Sequence, residues 1–338
     1  MWLLYGANGT TGRILLEIWK AHFSDLPRPV LAGRNPVALR ALGERYGLSY
    51  EVFSLVQLHQ RTLPSEIQLV VNLAGPYSET AQPWIEVCSA HRKAYMDICG
   101  EWRTFQQMYA HCALSVPIIT AAGYDTVIGE GALYRLCQAR PNPEQLKLRV
   151  YAKGGFSAGT VKSALTMLTQ GYYIWRDGQL LAVPFHEEKW EILPHRTYTF
   201  AVATLAELIT FPAWHPVKEL STWVALPERY LRWRGLLEKI AVWKPFLEGM
   251  YRLLDMQRGR LAREMDLNAR SYLVAHTEDY FVLVDSPQPY WVTAWTVLSA
   301  VRLFFSEGAE AGVSSAFSRW RDKLWEALPD IRVSEGRL

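Results

Sequence analysis

The sequence predicts an α/β fold in two parts, a doubly wound parallel sheet followed by an α+β domain with a mixed sheet. Three observations support this prediction. Strand-like runs alternate with helix-like segments in the first part, a glycine-rich bend follows the first of these runs, and strand-like runs, one of them with alternating apolar and polar residues, recur in the second part. A chain of 338 residues is long enough to form two such domains.

Six segments in the first part predict strands of a parallel sheet, and the almost continuous apolar run of residues 69–74 is as expected for a strand that is buried on both faces. The six segments cover residues 2–5, 29–34, 50–55, 69–74, 94–98 and 116–122. The spacing of apolar residues between these runs predicts helices over residues 11–22, 37–47, 79–92 and 102–115. Ligands of doubly wound sheets bind beyond the carboxyl ends of the strands, so the functional residues are expected there.

A glycine-rich bend, Gly-Ala-Asn-Gly-Thr-Thr-Gly-Arg over residues 6–13, directly follows the first strand. Its three glycines allow the backbone to turn tightly and to approach a diphosphate, which N–H groups at the start of the next helix can bind. The spacing is G-x-x-G-x-x-G, a relative of the dinucleotide fingerprint G-x-G-x-x-G. The bend predicts a Rossmann-type nucleotide-binding domain, and a purely structural turn is the alternative.

The residues after the second strand indicate which dinucleotide would bind. An NAD enzyme commonly places Asp or Glu there to accept hydrogen bonds from the ribose hydroxyls. This chain has Gly33-Arg34-Asn35 instead, and a guanidinium can bind a 2′-phosphate through two hydrogen bonds. Arg13, in the first helix, adds a second positive charge. The sequence therefore predicts NADP(H) as the cofactor, and the alternative is that Arg34 is a solvated surface charge.

Three further strand ends carry polar clusters, at residues 72–77, 97–101 and 123–125. The Gly75-Pro76 turn in the first of these clusters is expected where a nicotinamide ring would lie. The alternative is that the glycines only form turns and that Glu101 and Asp125 cap the following helices.

We divide the chain into a cofactor domain over residues 1–125, a substrate domain over 126–300, and C-terminal helices over 301–338 that pack back on the body. The second domain is expected to close over the nicotinamide and to supply the substrate pocket. Its predicted elements are strands over 145–154, 197–202, 222–225, 271–275 and 280–284, a helix over 160–171 and a hairpin over 173–183. Two more helices are predicted, over residues 291–305 and 314–328.

Residues 228–256 combine apolar side chains, including tryptophans, at helical spacing with interspersed basic residues. Three interpretations stay open for this segment. It packs in the core with a solvated cationic face, rests as a peripheral contact on an anionic membrane, or covers an apolar channel.

Composition excludes several function classes. A formal net charge of +3 gives no indication of a nucleic-acid partner. We find no apolar stretch long enough to cross a bilayer and no leader before the first strand, so the expected location is cytoplasmic. The cysteines are expected to be free thiols, and no histidine pattern suggests a metal site. They are Cys88, Cys99, Cys112 and Cys137. The oligomeric state stays open, a homodimer included.

A rival interpretation comes from residues 155–159, which fit the G-x-S-x-G motif of a serine hydrolase. Ser157 would be the nucleophile, followed in the chain by Asp177 or Asp255 and by His276. However, the motif follows a complete nucleotide-type sheet, and no oxyanion-hole motif is evident. A helix cap or polar pocket group at Ser157 or Thr160 is therefore the favoured interpretation. The Tyr-x-x-x-Lys pair of short-chain dehydrogenases is absent from the sequence.

Six segments together resemble the saccharopine dehydrogenase-like oxidoreductases, in particular the branch that includes trans-acting enoyl reductases of polyketide-type lipid synthesis. They are GANGTTGR, LAGRN, VVNLAGPY, YMDICGE, AAGYDTV and GGFSAGT. The resemblance implies that the glycine-rich bend holds the diphosphate, Arg34 the 2′-phosphate, and residues 74–76 the nicotinamide side. The expected cofactor-binding residues are Gly6, Asn8, Gly9, Thr10, Thr11, Gly12, Arg13, Arg34, Asn35, Ala74, Gly75 and Pro76.

From these observations we expect an NADPH-dependent reductase that acts on an activated carbon–carbon double bond. The expected substrate is an apolar acyl- or isoprenoid-type molecule, either small or bound to a carrier. Tyr77 and Tyr124 are the candidate proton donors, because a phenol at a strand end can donate a proton while it is neutral. A non-catalytic NADP-binding or scaffold protein is the alternative.

Overall fold

The computed structural model describes residues 1–110, 115–193, 196–227, 235 and 244–338. These residues form two units. One unit comprises Met1–Val127 and Tyr290–Pro329, and the other comprises Ile128–Pro289 and Asp330–Leu338.

The elements alternate regularly in the first part of the chain and less regularly afterwards. The strands are β1 (Trp2–Tyr5), β2 (Pro29–Gly33), β3 (Tyr50–Val52), β4 (Leu69–Asn72), β5 (Ala94–Asp97), β6 (Pro117–Thr120), β7 (Gln145–Tyr151), β8 (Tyr172–Arg176), β9 (Gln179–Val183), β10 (Glu187–Leu193), β11 (Arg196–Val202), β12 (Glu219–Ala225), β13 (Ser271–His276), β14 (Tyr280–Ser286), β15 (Gly312–Ser315) and β16 (Arg332–Arg337). The described α-helices are α1 (Thr10–His22), α2 (Pro36–Tyr46), α3 (Tyr77–Ala90), α4 (Trp102–Ala110), α5 (Tyr124–Ala139), α6 (Ala158–Leu168), α7 (Glu207–Thr210), α8 (Lys244–Arg263), α9 (Pro289–Glu307), α10 (Ala316–Trp320) and α11 (Asp322–Glu326).

Seven parallel strands form the sheet of the first unit, in the order β15-β6-β5-β4-β1-β2-β3. Strands β1, β2, β4 and β5 are buried along their whole length, as expected for strands buried on both faces. β1 lies between β2 and β4, so the winding direction reverses there, and such a reversal leaves a crevice at the strand ends. The predicted doubly wound parallel sheet is confirmed.

Local sequence signals explain where helix α2 begins and ends. Asn35 precedes it, and its side-chain Oδ1 accepts a hydrogen bond of 3.0 Å from the N–H of Ala38. Pro36 occupies the first helical position, where its fixed φ is favourable and its missing N–H costs nothing. Gly47 ends the helix in the left-handed conformation, with a φ of +63°.

The second unit contains the predicted mixed sheet, which has nine strands among the described residues. The main path is β10-β11-β12-β7-β13-β14-β16, in which only the β12–β7 pair is parallel. The hairpin of β8 and β9 also pairs with β12. Its turn residues Asp177 and Gly178 have φ values of +48° and +84°, the pattern of a two-residue turn that matches strand twist.

The unit boundaries differ from the predicted division after residue 289. Helix α9 packs on the first unit, where the Thr296 hydroxyl donates a hydrogen bond of 2.6 Å to the Ala122 carbonyl. Arg302 also binds the Asp25 carboxylate, with a distance of 2.8 Å. Residues 290–300 therefore belong with the first unit, whereas strand β16 at the end of the chain joins the second sheet through β14.

The single helix predicted over residues 314–328 is wrong. β15 pairs with β6 and extends the parallel sheet, and the helical residues that follow are divided between α10 and α11. The division occurs at Arg321, whose φ of +44° is incompatible with a continuous α-helix. A short edge strand of four residues leaves little periodic signal in the sequence.

Much of the predicted segment 228–256 lies outside the described residues, namely residues 228–234 and 236–243. The described remainder belongs to helix α8. None of the described helices is both long and apolar enough to cross a bilayer. Cys88, Cys99 and Cys137 are free and buried, and Cys112 lies outside the described residues.

Candidate functional site

The glycine-rich bend joins β1 to α1 at the point where the winding of the parallel sheet reverses. Gly6 has a φ of +84°, and a Cβ there would lie 3.1 Å from the backbone nitrogen of Ala74. A Cβ on Gly12 would lie only 2.5 Å from the carbonyl oxygen of Ala7. Both positions therefore require glycine. Gly6 needs it because its φ is positive, and Gly12 needs it because helix α1 starts so close to the bend that a side chain would collide with the backbone.

The start of helix α1 offers N–H groups to an anion. Gly9 is the N-cap residue, and no side chain forms a capping hydrogen bond there. The N–H groups of Thr10, Thr11 and Gly12 belong to the first turn and have no acceptor within the helix. Together with the helix dipole, these groups favour a negatively charged ligand.

Helices α2 and α3, which also start at strand ends of this sheet, have caps from side chains. Asn35 caps α2, as described above. The Glu101 carboxylate caps α3, because it accepts hydrogen bonds of 2.9 Å from the N–H groups of both Tyr77 and Ser78. The Glu101 carboxylate therefore caps a helix that precedes it in the chain, whereas the alternative in the sequence analysis had it cap the helix that follows. Of these three helix starts, only that of α1 lacks a side-chain cap.

Several predicted residues meet beside the bend, at the end of β2. A Cβ added at Gly33 would lie 3.2 Å from Oδ1 of Asn8, so the Asn8 side chain approaches the strand end. Arg13 donates a hydrogen bond of 3.1 Å from Nε to the Asn8 carbonyl oxygen. Arg34 is exposed. Burial raises the pKa of Tyr5, and the positive charge of Arg34 lowers it by a smaller amount. This corner therefore carries two arginines and no acidic residue at the strand end.

Residues 73–76 form the loop after β4 and pack against Gly6. Asn72, fully buried at the strand end, accepts a hydrogen bond of 3.0 Å from the N–H of Ala74. The Thr80 hydroxyl donates to the Ala74 carbonyl at 2.6 Å and accepts from the Asn72 amide at 3.1 Å. Two buried side chains thus fix both backbone polar groups of Ala74, while Gly75 and Pro76 are exposed.

A buried polar network lies beneath these strand ends. Asp97 ends β5 beside Asn72 and accepts hydrogen bonds from the hydroxyls of Tyr95 and Thr120 at 2.9 and 2.7 Å. Backbone N–H groups of Cys99 and Ala121 also donate to it. Burial raises the pKa of Asp97, and these donors act in the opposite direction.

The roles of Thr80, Tyr95 and Thr120 were not predicted from the sequence. For Thr120 a usable signal exists, because β4, β5 and β6 each end in a polar residue after an apolar run. In parallel strands these ends align, so three such residues are expected to be neighbours.

The two candidate proton donors lie at helix starts of the first unit. Tyr77 is the first residue of α3 and is 8% exposed, with its hydroxyl 3.5 Å from the carbonyl oxygen of Asn72. Burial, followed by the negative charge of Asp97, raises the pKa of Tyr77 well above its ordinary value. Tyr124 begins α5 and is 3% exposed, and its backbone N–H donates to the Thr293 hydroxyl at 3.0 Å. Asp125 is exposed in the first turn of α5, where a negative charge interacts favourably with the positive end of the helix dipole.

Ser157 is the N-cap of helix α6, as the favoured interpretation of this residue predicted. Its hydroxyl accepts a hydrogen bond of 3.2 Å from the N–H of Thr160. His276 has both ring nitrogens engaged. Nε2 accepts from Arg149 at 3.0 Å, and Nδ1 lies 2.8 Å from the Thr277 carbonyl oxygen. This histidine is therefore occupied by structural hydrogen bonds and is unsuited to activate a serine.

The fold and the glycine-rich bend together define a protein of the Rossmann nucleotide-binding fold class with a second, mixed-sheet unit. No family model matches the chain. A Mycobacterium tuberculosis protein whose name places it among the trans-acting enoyl reductases is 30% identical over 186 residues, which cover 49% of this chain and 44% of that protein. A mouse protein named saccharopine dehydrogenase-like oxidoreductase is 28% identical over 156 residues, which cover 39% of this chain and 36% of that protein.

The fold also matches over nearly the whole chain. Saccharopine dehydrogenase (L-Glu forming) from Saccharomyces cerevisiae superposes with a TM-score of 0.64 at 12% identity, covering 99% of both chains. The chain thus has homologues named trans-acting enoyl reductase and saccharopine dehydrogenase-like oxidoreductase, and the predicted resemblance is confirmed. The sequence matches span less than half the length of these relatives.

Proposed function

We propose that this chain is an NADPH-dependent oxidoreductase that reduces an activated carbon–carbon double bond of an apolar acyl- or isoprenoid-type substrate. The observation that carries the proposal is the uncapped start of helix α1 behind a bend in which added Cβ atoms would collide with backbone. A diphosphate fits this arrangement, because it needs close backbone approach and unpaired N–H donors. Gly6, Gly9, Thr10, Thr11 and Gly12 are the residues proposed to hold it.

The strand ends support proposed contacts for the remaining parts of the cofactor. Arg34, assisted by Arg13 and Asn8, is proposed to bind the 2′-phosphate, since this corner has arginines where an NAD enzyme has an acid. Asn35 contacts the same group in this proposal through its amide nitrogen, while its oxygen caps α2. The loop of Ala74, Gly75 and Pro76 is proposed to border the nicotinamide. The bound cofactor supplies hydride transfer, and the protein positions it and excludes water.

The type of substrate is proposed from the relatives. Proteins named trans-acting enoyl reductase support an enoyl-type acceptor, free or attached to a carrier. Tyr77 and Tyr124 are the proposed proton donors, because a phenol is protonated at neutral pH. Burial raises the pKa of Tyr77 further, which makes its phenol a weaker acid. Consumption of NADPH should be screened with acyl and prenyl compounds. Turnover that is unchanged in both Tyr77→Phe and Tyr124→Phe would exclude these two residues.

One observation favours a second candidate function, a non-catalytic NADP-binding protein. Both tyrosines are buried, and the Tyr77 hydroxyl lies 3.5 Å from the Asn72 carbonyl oxygen of its own unit. Under this alternative, NADPH binds at equilibrium, but no compound of the screen causes its oxidation.

The cofactor assignment is tested by Arg34→Asp. Loss of a charge-assisted contact of about 1.5–3 kcal/mol should weaken NADPH binding by about 10- to 150-fold and leave NADH binding nearly unchanged. Arg45→Asp is the matched control, because it makes the same charge change on an exposed arginine in the last turn of α2. If the NADPH to NADH affinity ratio does not change in Arg34→Asp, another group recognises the phosphate.

A further inference from the structure

Helix α8 in the second unit is held in place by one of its faces. Tyr251 and Thr166 of helix α6 form a hydrogen bond between their hydroxyls, and Lys162 of α6 lies 5.4 Å from the Tyr251 ring centre. Leu254, one turn further along α8, is 9% exposed. This face fixes which residues of α8 point away from the unit.

The opposite face of α8 is also apolar, and it is exposed. Phe246 is 37% exposed, Leu253 is 46% exposed and Met256 is 84% exposed. At 100° per residue these three side chains lie within an arc of about 80° and extend over about 15 Å of the helix. Two further exposed apolar residues, Phe156 and Leu267, lie in the loops that meet where Gly155 approaches Met265, directly after α8.

The charge of α8 indicates what this apolar face contacts. Its sequence has five basic and two acidic residues, a net charge of +3, which equals the net charge of the entire chain. Arg252, exposed, lies beside Met256 at one edge of the apolar arc, and the exposed Arg260 lies in line with the arc, one turn beyond Met256. Arg260 is partly neutralised by Glu264 at 2.7 Å. An apolar arc bordered by arginines is typical of a helix that lies in a membrane interface.

We propose that α8 is a docking surface for an anionic lipid bilayer, with Phe246, Leu253 and Met256 inserted among the acyl chains. An anionic surface complements the positive helix, and each basic residue near it adds to the attraction. A two-fold contact between copies of this chain is disfavoured, because it would bring two positively charged α8 helices together. This inference is independent of the proposed cofactor chemistry.

The test is co-flotation of the full chain with vesicles of phosphatidylcholine containing about 30 mol% phosphatidylserine, compared with pure phosphatidylcholine. The variant replaces Phe246, Leu253 and Met256 by serine. The matched control replaces Val37, Val52 and Val56 by serine, since these apolar residues of the first unit are 77%, 41% and 87% exposed. All six side chains are substantially exposed, so thermal unfolding should show that both variants fold.

We expect wild type and control to bind the anionic vesicles and the α8 variant to bind at least about tenfold more weakly. Arg252→Glu should also weaken binding, and added salt should weaken it further. The proposal fails if wild type does not bind the anionic vesicles, or if the α8 variant binds as well as the control. It also fails if light scattering shows a dimer that only the α8 variant dissociates, because a second copy would then cover this face.

Discussion

Arg149 in strand β7 is a buried cation that is surrounded by aromatic rings and paired with a carboxylate. The alternation of β7 is as predicted, yet Arg149, on the polar side of the pattern, is only 1% exposed. Its guanidinium lies 5.1–5.4 Å from the ring centres of Trp190, Phe200 and Trp223, and it binds the Glu188 carboxylate. These partners come from three other strands. Cation–π stacking and an ion pair offset the cost of burial, and neither can be read from β7 alone.

His276 next to Arg149 leads to a prediction about pH. Burial, followed by the nearby positive charges, lowers the pKa of His276 from 6.5 to about 4. Between pH 6.5 and pH 4 His276 is protonated in the unfolded chain but neutral in the folded protein. The free energy of unfolding therefore decreases as the pH falls towards 4. At 1.36 kcal/mol per pH unit, the free energy of unfolding should fall by about 2.5 kcal/mol between about pH 7 and about pH 4.5 from this residue alone.

The measurement is denaturant unfolding of wild type and His276→Gln at both pH values. Trp190 stacks on His276 with ring centres 4.9 Å apart, so tryptophan fluorescence should report on this region. Carboxylates contribute equally to the pH dependence of unfolding in both proteins. The difference between the two pH dependences therefore gives the contribution of His276. Equal losses in wild type and variant would contradict the assignment of a neutral, buried His276.

Strand ends and the loops after them are the elements on which the proposed site depends. Sequence spacing predicted the strands, the glycine-rich bend and the polar residues that follow β4 and β5. It could not show that Glu101 caps α3 or that Thr80 reaches back to Ala74, since these contacts join residues that only the folded chain brings together. Caps and loop supports of this kind depend on side-chain directions, whereas strands depend on local apolar patterns.

The loop of residues 74–76 gives a prediction at this scale. Thr80→Val removes the hydroxyl that fixes the Ala74 carbonyl and keeps the side-chain shape. If this loop borders the nicotinamide, NADPH affinity should fall about tenfold, which corresponds to about 1.4 kcal/mol. ADP-ribose 2′-phosphate lacks the nicotinamide, so its affinity should not change.

Thr104→Val is the matched control, because Thr104 and Thr80 are both 5% exposed and Thr104 supports Glu101 rather than the loop. Thr80→Ser should restore NADPH binding. An equal loss for both ligands in Thr80→Val would mean that Thr80 only stabilises the domain.

On the scale of the whole molecule, the sequence predicted both sheets because their signals are local. The parallel strands are apolar runs separated by helices, and the second unit shows alternation and a recognisable hairpin. The return of α9 and β15 to the first unit could not be predicted. Nothing in residues 289–315 specifies which unit the helix packs on or which sheet the strand joins. Thr296 and Arg302 become informative only once their partners, Ala122 and Asp25, are located.

The central claim is that the uncapped start of α1 holds the diphosphate of NADPH, and Gly9→Asp tests it most directly. Gly9 has φ and ψ of −71° and 173°, which any residue can adopt, and the atom nearest to an added Cβ is the Gly6 carbonyl oxygen at 3.1 Å. An Asp there should cap α1, which stabilises a helix by about 1 kcal/mol, while its carboxylate occupies the N–H groups and repels phosphate.

Calorimetric titration of NADPH into wild type, Gly9→Ala and Gly9→Asp is therefore the decisive measurement. We predict binding to wild type, weaker binding to the alanine variant, and a loss of at least about 100-fold in the aspartate variant, whose melting temperature without ligand is unchanged or higher. Binding of NADPH to Gly9→Asp with wild-type affinity, or no binding of NADPH or NADH to folded wild type, would contradict the claim.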